Sequence, residues 1–123
     1  MKEKRIIVAG TRNFQDYNLL KETLVNYINS DENIVIVSGC ANGADTLGER
    51  FAKENNIHCV TFPAIWHIYG KAAGYRRNTQ MAMYAIHDAK GVLFAFWDGK
   101  SKGTKHMINI AKEYGLEIHI INY

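Results

Sequence analysis

Five short runs of β-branched and aromatic residues, separated by segments whose apolar residues recur every three or four positions, leave this chain few folds to choose from. The runs are RIIVAG, NIVIVSG, HCVTFPA, GVLFAFW and LEIHIIN, each bounded by Gly, Pro, Asn or Trp. Between them, Leu19, Leu20, Leu24, Tyr27 and Ile28, then Ala44, Leu47, Phe51 and Ala52, then Met81, Tyr84 and Ala85, then Met107, Ile108 and Ala111 keep helical spacing. The pattern predicts five strands and four helices. Strands that are apolar almost throughout must be covered on both faces, so the sheet is expected to be mostly parallel with right-handed crossovers. The expected fold is α/β, a Rossmann-like three-layer sandwich.

Composition narrows the class further. A chain of 123 residues with 47% apolar and 22% charged residues suits a single domain spanning 1–123 with its own core. The longest apolar runs are strand-sized, well below the roughly 20 residues a membrane helix needs, so no membrane partner is expected. The start, MKEKRIIVAGT, lacks the apolar stretch of a secretory signal. The expected location is cytoplasmic. Cys40 and Cys59 have no CxxC spacing and are read as small buried hydrophobes. A net charge of +3 is weak evidence for nucleic acid but is compatible with a local anion pocket.

In open parallel sheets ligands bind beyond the carboxyl ends of the strands, which directs attention to AGTRNFQDY, SGCANGADTLGE, PAIWHIYGKAAGYRRN and WDGKSKGTKH. In the second of these, Gly39 and Gly43 are expected to take positive φ and let the backbone approach a ligand, while the helix that follows offers free N–H groups. A tight βα turn is the alternative reading of that loop alone. Gly99, Ser101, Gly103 and Thr104 repeat the chemistry before another helix, and two such loops on one edge favour an anion site. Neither loop has the GxxxxGK[ST] of a Walker A motif, and AGTRNF lacks GxGxxG.

Taken together and in order, AGTRNFQDY, VSGCANGADTLGERFAKE, FPAIWHIYGKAAGYRRNTQMAMYA and FWDGKSKGTKHMI resemble the YspA-related family of the SLOG superfamily, over nearly the whole chain. The superfamily includes LOG phosphoribohydrolases, Smf/DprA proteins and sensor domains, so the resemblance implies a Rossmann-like fold and a nucleotide-type ligand. Against the LOG pattern, RNTQM is similar to RKxxM and puts Arg77 in the arginine position. DGKSKGTKHM is similar to PGGxGTxxE through Gly99, Gly103 and Thr104, but Met107 stands where the catalytic glutamate belongs. A thioether cannot move a proton or stabilise an oxocarbenium-like centre.

Asp45 and Asp98 are the candidate substitutes for that glutamate, Asp45 first, with Asp16 in a neighbouring loop. Asp45 could otherwise simply complement the helix dipole, and Glu49, one turn further on, is read as a helix-surface residue. Arg12, Lys71, Arg76, Arg77, Lys102 and Lys105 bring positive charge to the same edge, Arg12 and Arg77 being the preferred pair because arginine binds phosphate bidentately. Arg76 and Arg77 sit at the expected helix start about 100° apart, so one of them faces the pocket. Trp66, Tyr69, Tyr75 and Trp97 could stack on a base or belong to the core or an interface. Asn78 could bond a ligand or cap the third helix. His67 or His106 could serve as a base, a polar surface role being the commoner one.

No metal spacing such as HExxH and no GxSxG elbow occurs in the sequence, and no cofactor is expected. The reading is a binding module for a nucleotide or nucleotide-derived molecule, held by Gly10, Thr11, Arg12, Ser38, Gly39, Asn42, Gly43, Asp45, Arg77, Asn78, Gly99, Ser101, Gly103 and Thr104. The alternative is a nucleotide N-glycosidic hydrolase. Single-stranded DNA binding is a lesser reading, and homo-oligomerisation is expected.

Overall fold

The computed structural model describes residues 3–30 and 32–123. Strands β1 (Glu3–Gly10), β2 (Ile34–Ser38), β3 (His58–Thr61), β4 (Ala89–Trp97) and β5 (Glu117–Asn122) form one sheet in the order β3-β2-β1-β4-β5. Every pairing is parallel, with Ile6 opposite Ile36 on one side and Val92 on the other. The helices are α1 (Tyr17–Tyr27), α2 (Ala44–Glu54), the single turn α3 (Trp66–Tyr69), α4 (Ala73–Ile86) and α5 (Lys102–Glu113), with a 3-10 turn at Gly70–Ala72.

The period-two alternation of the strands divides the core into two layers. Ile6 and Val8 of β1 face Leu20, Leu24 and Phe51 of α1 and α2, whereas Ile7 and Ala9 face Met81, Ala85, Met107 and Ala111 of α4 and α5. Full burial of a Leu, Ile or Phe contributes about 1.5–3 kcal/mol, so this packing, more than helix propensity, holds the helices in place. Gly48 allows α2 to lie close to the sheet, since a methyl there would stand 2.8 Å from Val8 Cβ. The three central strands are buried as expected. Edge strands β3 and β5 are partly exposed and carry His58, Thr61, Glu117 and His119.

Local chemistry sets the helix starts. The Asp16 side chain accepts from Leu19 N at 3.1 Å at the start of α1, and Ser101 Oγ accepts from Thr104 N at 3.3 Å at the start of α5. Asp16 is thus a cap. The segment after β3 departs from the four-helix expectation, because residues 66–72 form α3 and the 3-10 turn and α4 already begins at Ala73. Arg76, Arg77 and Asn78 therefore lie inside α4, not at its start. Asn78 cannot cap the helix.

Candidate functional site

The crossovers from β1 to β2 to β3 run one way across the sheet, and the next returns past β1 to β4, so the topology switches direction between β1 and β4. Parallel sheets open a crevice beyond the strand ends at such a point. Here the crevice is a cleft of three adjoining cavities. One of about 250 Å³ is lined by Arg12, Cys40, Asn42, Pro63, Trp66 and Arg77 among others. A second of about 190 Å³ has Arg12, Trp66, Lys71, Tyr75 and Arg77 in its wall. The third, about 80 Å³, runs inward past Gly10, Asp45, Asn78 and Gly103 to Met81 and Met107. Arg12 and Arg77 belong to all three.

A larger cavity of about 690 Å³ opens at the opposite end of the sheet, beside Ile28 and Asn55 at the ends of α1 and α2. Among the described residues no arginine or lysine lines it, and helix C-termini carry partial negative charge. That end is unsuited to an anion.

Arg77 is fixed by its neighbours. Its Nη1 donates to the Gly39 carbonyl at 2.5 Å and its Nε to Asn78 Oδ1 at 3.1 Å. Asn78, 4% exposed, points its amide nitrogen at the Gly103 carbonyl (3.4 Å) and at His106 Nδ1 (3.0 Å). Burial lowers the Arg77 pKa and the nearby Asp45 carboxylate opposes that shift, but a guanidinium stays protonated in proteins. Arg76, one residue away, is turned outward with its guanidinium 4.3 Å from the centre of the Tyr69 ring. Of the two arginines, Arg77 is the one in the cleft.

Asp45, in the first turn of α2, is 4% exposed and lines the inner cavity. Its Oδ2 accepts from Ala41 N at 3.3 Å. Burial pushes its pKa up to about 6, against the opposing pull of the Ala41 N–H and the Arg77 charge. Behind it, Ser38 Oγ donates to Glu49 Oε2 at 2.6 Å and accepts from Cys40 N at 3.1 Å. Glu49 is therefore not the surface residue its position suggests. It turns inward to hold the strand-to-loop junction.

The sequence candidates fall into two groups. Gly10, Arg12, Gly39, Asn42, Asp45, Arg77, Asn78, Ser101, Gly103 and Thr104 line the cleft. Thr11, Ser38, Gly43, Asp98 and Gly99 lie outside those walls and shape the loops. Thr11 Oγ1 accepts from Asp98 N at 3.1 Å, and Asp98 Oδ1 accepts from Lys100 N and Ser101 N, both at 2.8 Å. These N–H groups hold the Asp98 carboxyl below its ordinary range. Gly43 takes φ +83° at the start of α2, and a side chain there would run into the backbone of Thr11 and Arg12. Its close approach is thus to another loop.

Several expectations are corrected. Gly39 does not adopt positive φ; the left-handed residue is Cys40, at φ 64°. Gly39 is small because a methyl there would stand 2.8 Å from Arg77 Nη1 and 2.9 Å from Asp45 Oδ2. Cys40, two residues beyond the end of β2 at Ser38, is exposed on the cleft wall, and Cys59 is only partly buried. Trp97 lies outside the cleft walls and packs against the α4–α5 core with Nε1 donating to the Ser101 carbonyl at 3.0 Å. Met107, at the LOG glutamate position, is 1% exposed, an apolar floor. Lys71 joins the cleft, whereas Lys102 and Lys105 do not line it. Pro63, Ala64 and Gly74 also form its walls; they have no polar side chain by which sequence reasoning could have found them.

Residues 4–69 match the YspA, cpYpsA-related SLOG family. Over 126 aligned residues the chain is 30% identical to the Gene 61 protein of Mycobacterium phage D29, an alignment spanning 98% of this chain and 96% of that protein. Among solved structures, DNA processing protein A (DprA) from Streptococcus pneumoniae is similar with a TM-score of 0.74 and 18% identity, over 99% of this chain and 51% of that one. The chain thus spans about half of DprA, and at that identity the likeness is one of fold. No helix among the described residues is long and apolar enough to cross a membrane.

Proposed function

The chain belongs to the YspA, cpYpsA-related SLOG family, and we propose that it binds a nucleotide or nucleotide-derived molecule in the cleft, with phosphate received by Arg12 and Arg77. The observation that carries this reading is the convergence of three cavities on those two guanidinium groups. Among the described residues no carboxylate forms an ion pair with Arg12, so its charge is free for an anion. Trp66 and Tyr75, 52% and 49% exposed, border the outer cavities, where an aromatic face can take a base. In this reading Asp45, which lines the inner one, accepts from a ribose hydroxyl.

A thermal-shift screen against AMP, cyclic nucleotides, NAD, ADP-ribose and short single-stranded DNA tests the proposal. A ligand at about 100 times its Kd adds about 2.7 kcal/mol, which raises Tm by several degrees in a domain of this size. The expected result is a shift with one nucleotide class that Arg77→Ala or Gly103→Asp abolishes. Gly103 has open space where a side chain would go, and an aspartate in the first turn of α5 favours the helix dipole. Loss of response in that variant would reflect charge repulsion and not unfolding. No shift with any nucleotide refutes the reading.

Hydrolysis of a nucleotide glycosidic bond is a second reading, supported by the raised pKa of Asp45 in the cleft. Asp98 suits that role less well, its carboxylate being committed to loop N–H groups. Release of free base, lost in Asp45→Asn, is the expected outcome if the protein turns its ligand over. Single-stranded DNA binding, suggested by the DprA-like fold, predicts affinity that falls steeply with salt.

A further inference from the structure

Arg77 does not hold its orientation alone. Its Nε can only donate, so the atom of Asn78 facing it at 3.1 Å must be the amide oxygen. That fixes the amide, and its nitrogen then faces His106 Nδ1 at 3.0 Å and the Gly103 carbonyl at 3.4 Å. An amide nitrogen has only hydrogens to offer, so Nδ1 must be the acceptor and the ring proton must sit on Nε2. Three residues from two helices thus form a chain in which each hydrogen-bond direction is dictated by the one before it.

We propose that His106 is a positioning residue for Arg77, acting through Asn78: neutral His106 keeps the Asn78 carbonyl turned to Arg77, and protonation of His106 releases it. With a proton on Nδ1, the ring and the amide present hydrogens to each other. If the amide rotates to offer its oxygen to His106, its nitrogen meets Arg77 Nε, donor against donor. Asn78 has one carbonyl, and two cations then compete for it.

The groups around the imidazole are Tyr75 and Arg77 on α4 and Glu113 on its own helix, with Lys102 one helical turn before it. Tyr75 lies over the ring with centroids 4.3 Å apart, and Arg77 stands beyond Asn78. Burial lowers the His106 pKa more than the Glu113 charge raises it, which keeps the imidazole neutral at neutral pH. The inference concerns the same cleft and rests on the nucleotide reading for its consequence. The hydrogen-bond relay can be measured without any ligand.

The test is NMR of the ligand-free protein, following the Arg77 Nε–H resonance and the His106 ring nitrogens between pH 8 and pH 5 in the wild type, His106→Gln and His106→Phe. The side-chain oxygen of Gln can accept from Asn78 without titrating, whereas Phe cannot accept. The expected result is an Arg77 Nε–H resonance that moves from its hydrogen-bonded position to that of an unbonded guanidinium as His106 protonates, stays at the bonded position down to pH 5 in His106→Gln and sits at the unbonded position at every pH in His106→Phe. An Arg77 Nε–H resonance that keeps the bonded position in a folded His106→Phe, or that moves at the same pH in His106→Gln, overturns the proposal. Failure of every nucleotide to bind would refute the proposed function and leave this result standing.

Discussion

Arg77 and Asp45 meet across Gly39: the arginine comes from α4 and bonds the Gly39 carbonyl at 2.5 Å, the aspartate comes from α2, and a methyl on Gly39 would lie within 2.9 Å of both side chains. The pair brings opposite charges near each other in a mostly buried setting, yet burial still raises the Asp45 pKa to about 6. The arginine compensates the aspartate only in part. A site with a deficit of this kind is more stable without its charge.

Asp45→Asn is therefore expected to stabilise the ligand-free protein at neutral pH. The folded pKa lies above the ordinary 3.8, so between those values the folded state binds more protons than the unfolded state, and stability falls as pH rises. The stability associated with protonated Asp45 is fully present below 3.8 and gone above about 6. Two pKa units correspond to about 3 kcal/mol, an upper figure because asparagine keeps only part of the hydrogen bonding. Melting both proteins from pH 4 to pH 7.5 should show a Tm advantage for Asp45→Asn that grows with pH. A constant or reversed difference would mean that the carboxylate is not strained.

The two glycines of the second loop should separate on substitution. At Gly43 a side chain meets the loop-one backbone and must also take φ +83°, costs that together come to about 3 kcal/mol or more. Gly39→Ala displaces the tip of Arg77, which can move, and should cost about 1 kcal/mol of stability while sharply weakening any nucleotide response. Denaturant unfolding set beside the ligand screen distinguishes the two. Equal destabilisation by both would refute the placement of Arg77 at Gly39.

How much of this was legible beforehand can be judged from the same residues. The continuous apolar runs around Ile6, Ile36 and Phe94 are buried on two sides, so their pattern reported the parallel sheet directly. Arg77 was reached through the resemblance of RNTQM to the RKxxM segment, and the split from Arg76 followed from helix geometry. Glu49 was misjudged because its inward turn depends on Ser38, eleven residues earlier and on another element, to which no local pattern points. Gly39 was misjudged for a related reason. Glycine is required there by side chains arriving from α2 and α4, not by its own φ. The left-handed turn fell on Cys40, a residue type that gives no such signal.

The Ser38–Glu49 hydrogen bond predicts a stability effect with little reach into charge. Ser38→Ala leaves the Cys40 N–H and a Glu49 oxygen without their partner in a largely dry environment, at a cost of about 1–3 kcal/mol. Glu49→Gln, which can still accept from Ser38, should cost less. Urea midpoints at pH 7 check the order. A Glu49→Gln variant less stable than Ser38→Ala would indicate that the carboxylate charge matters more than its hydrogen bond.

Cys40 offers a chemical probe of the cleft. It is exposed on the wall of the cavity that also contains Arg12, Trp66 and Arg77, while Cys59 is only partly exposed and its thiol is pushed up to about 11 by burial and the Glu49 charge. Burial and Glu49 also raise the Cys40 pKa, so little thiolate is present at pH 7 and alkylation should be slow, accelerating toward pH 9. Iodoacetamide followed by peptide mass analysis should find Cys40 modified well before Cys59. A nucleotide seated between Trp66 and the two arginines would cover the thiol, so the nucleotide that raises Tm should slow Cys40 modification several-fold and leave Cys59 unaffected. If that nucleotide shifts Tm but gives Cys40 no protection, it binds away from this wall, and its seat between Trp66 and the two arginines is refuted.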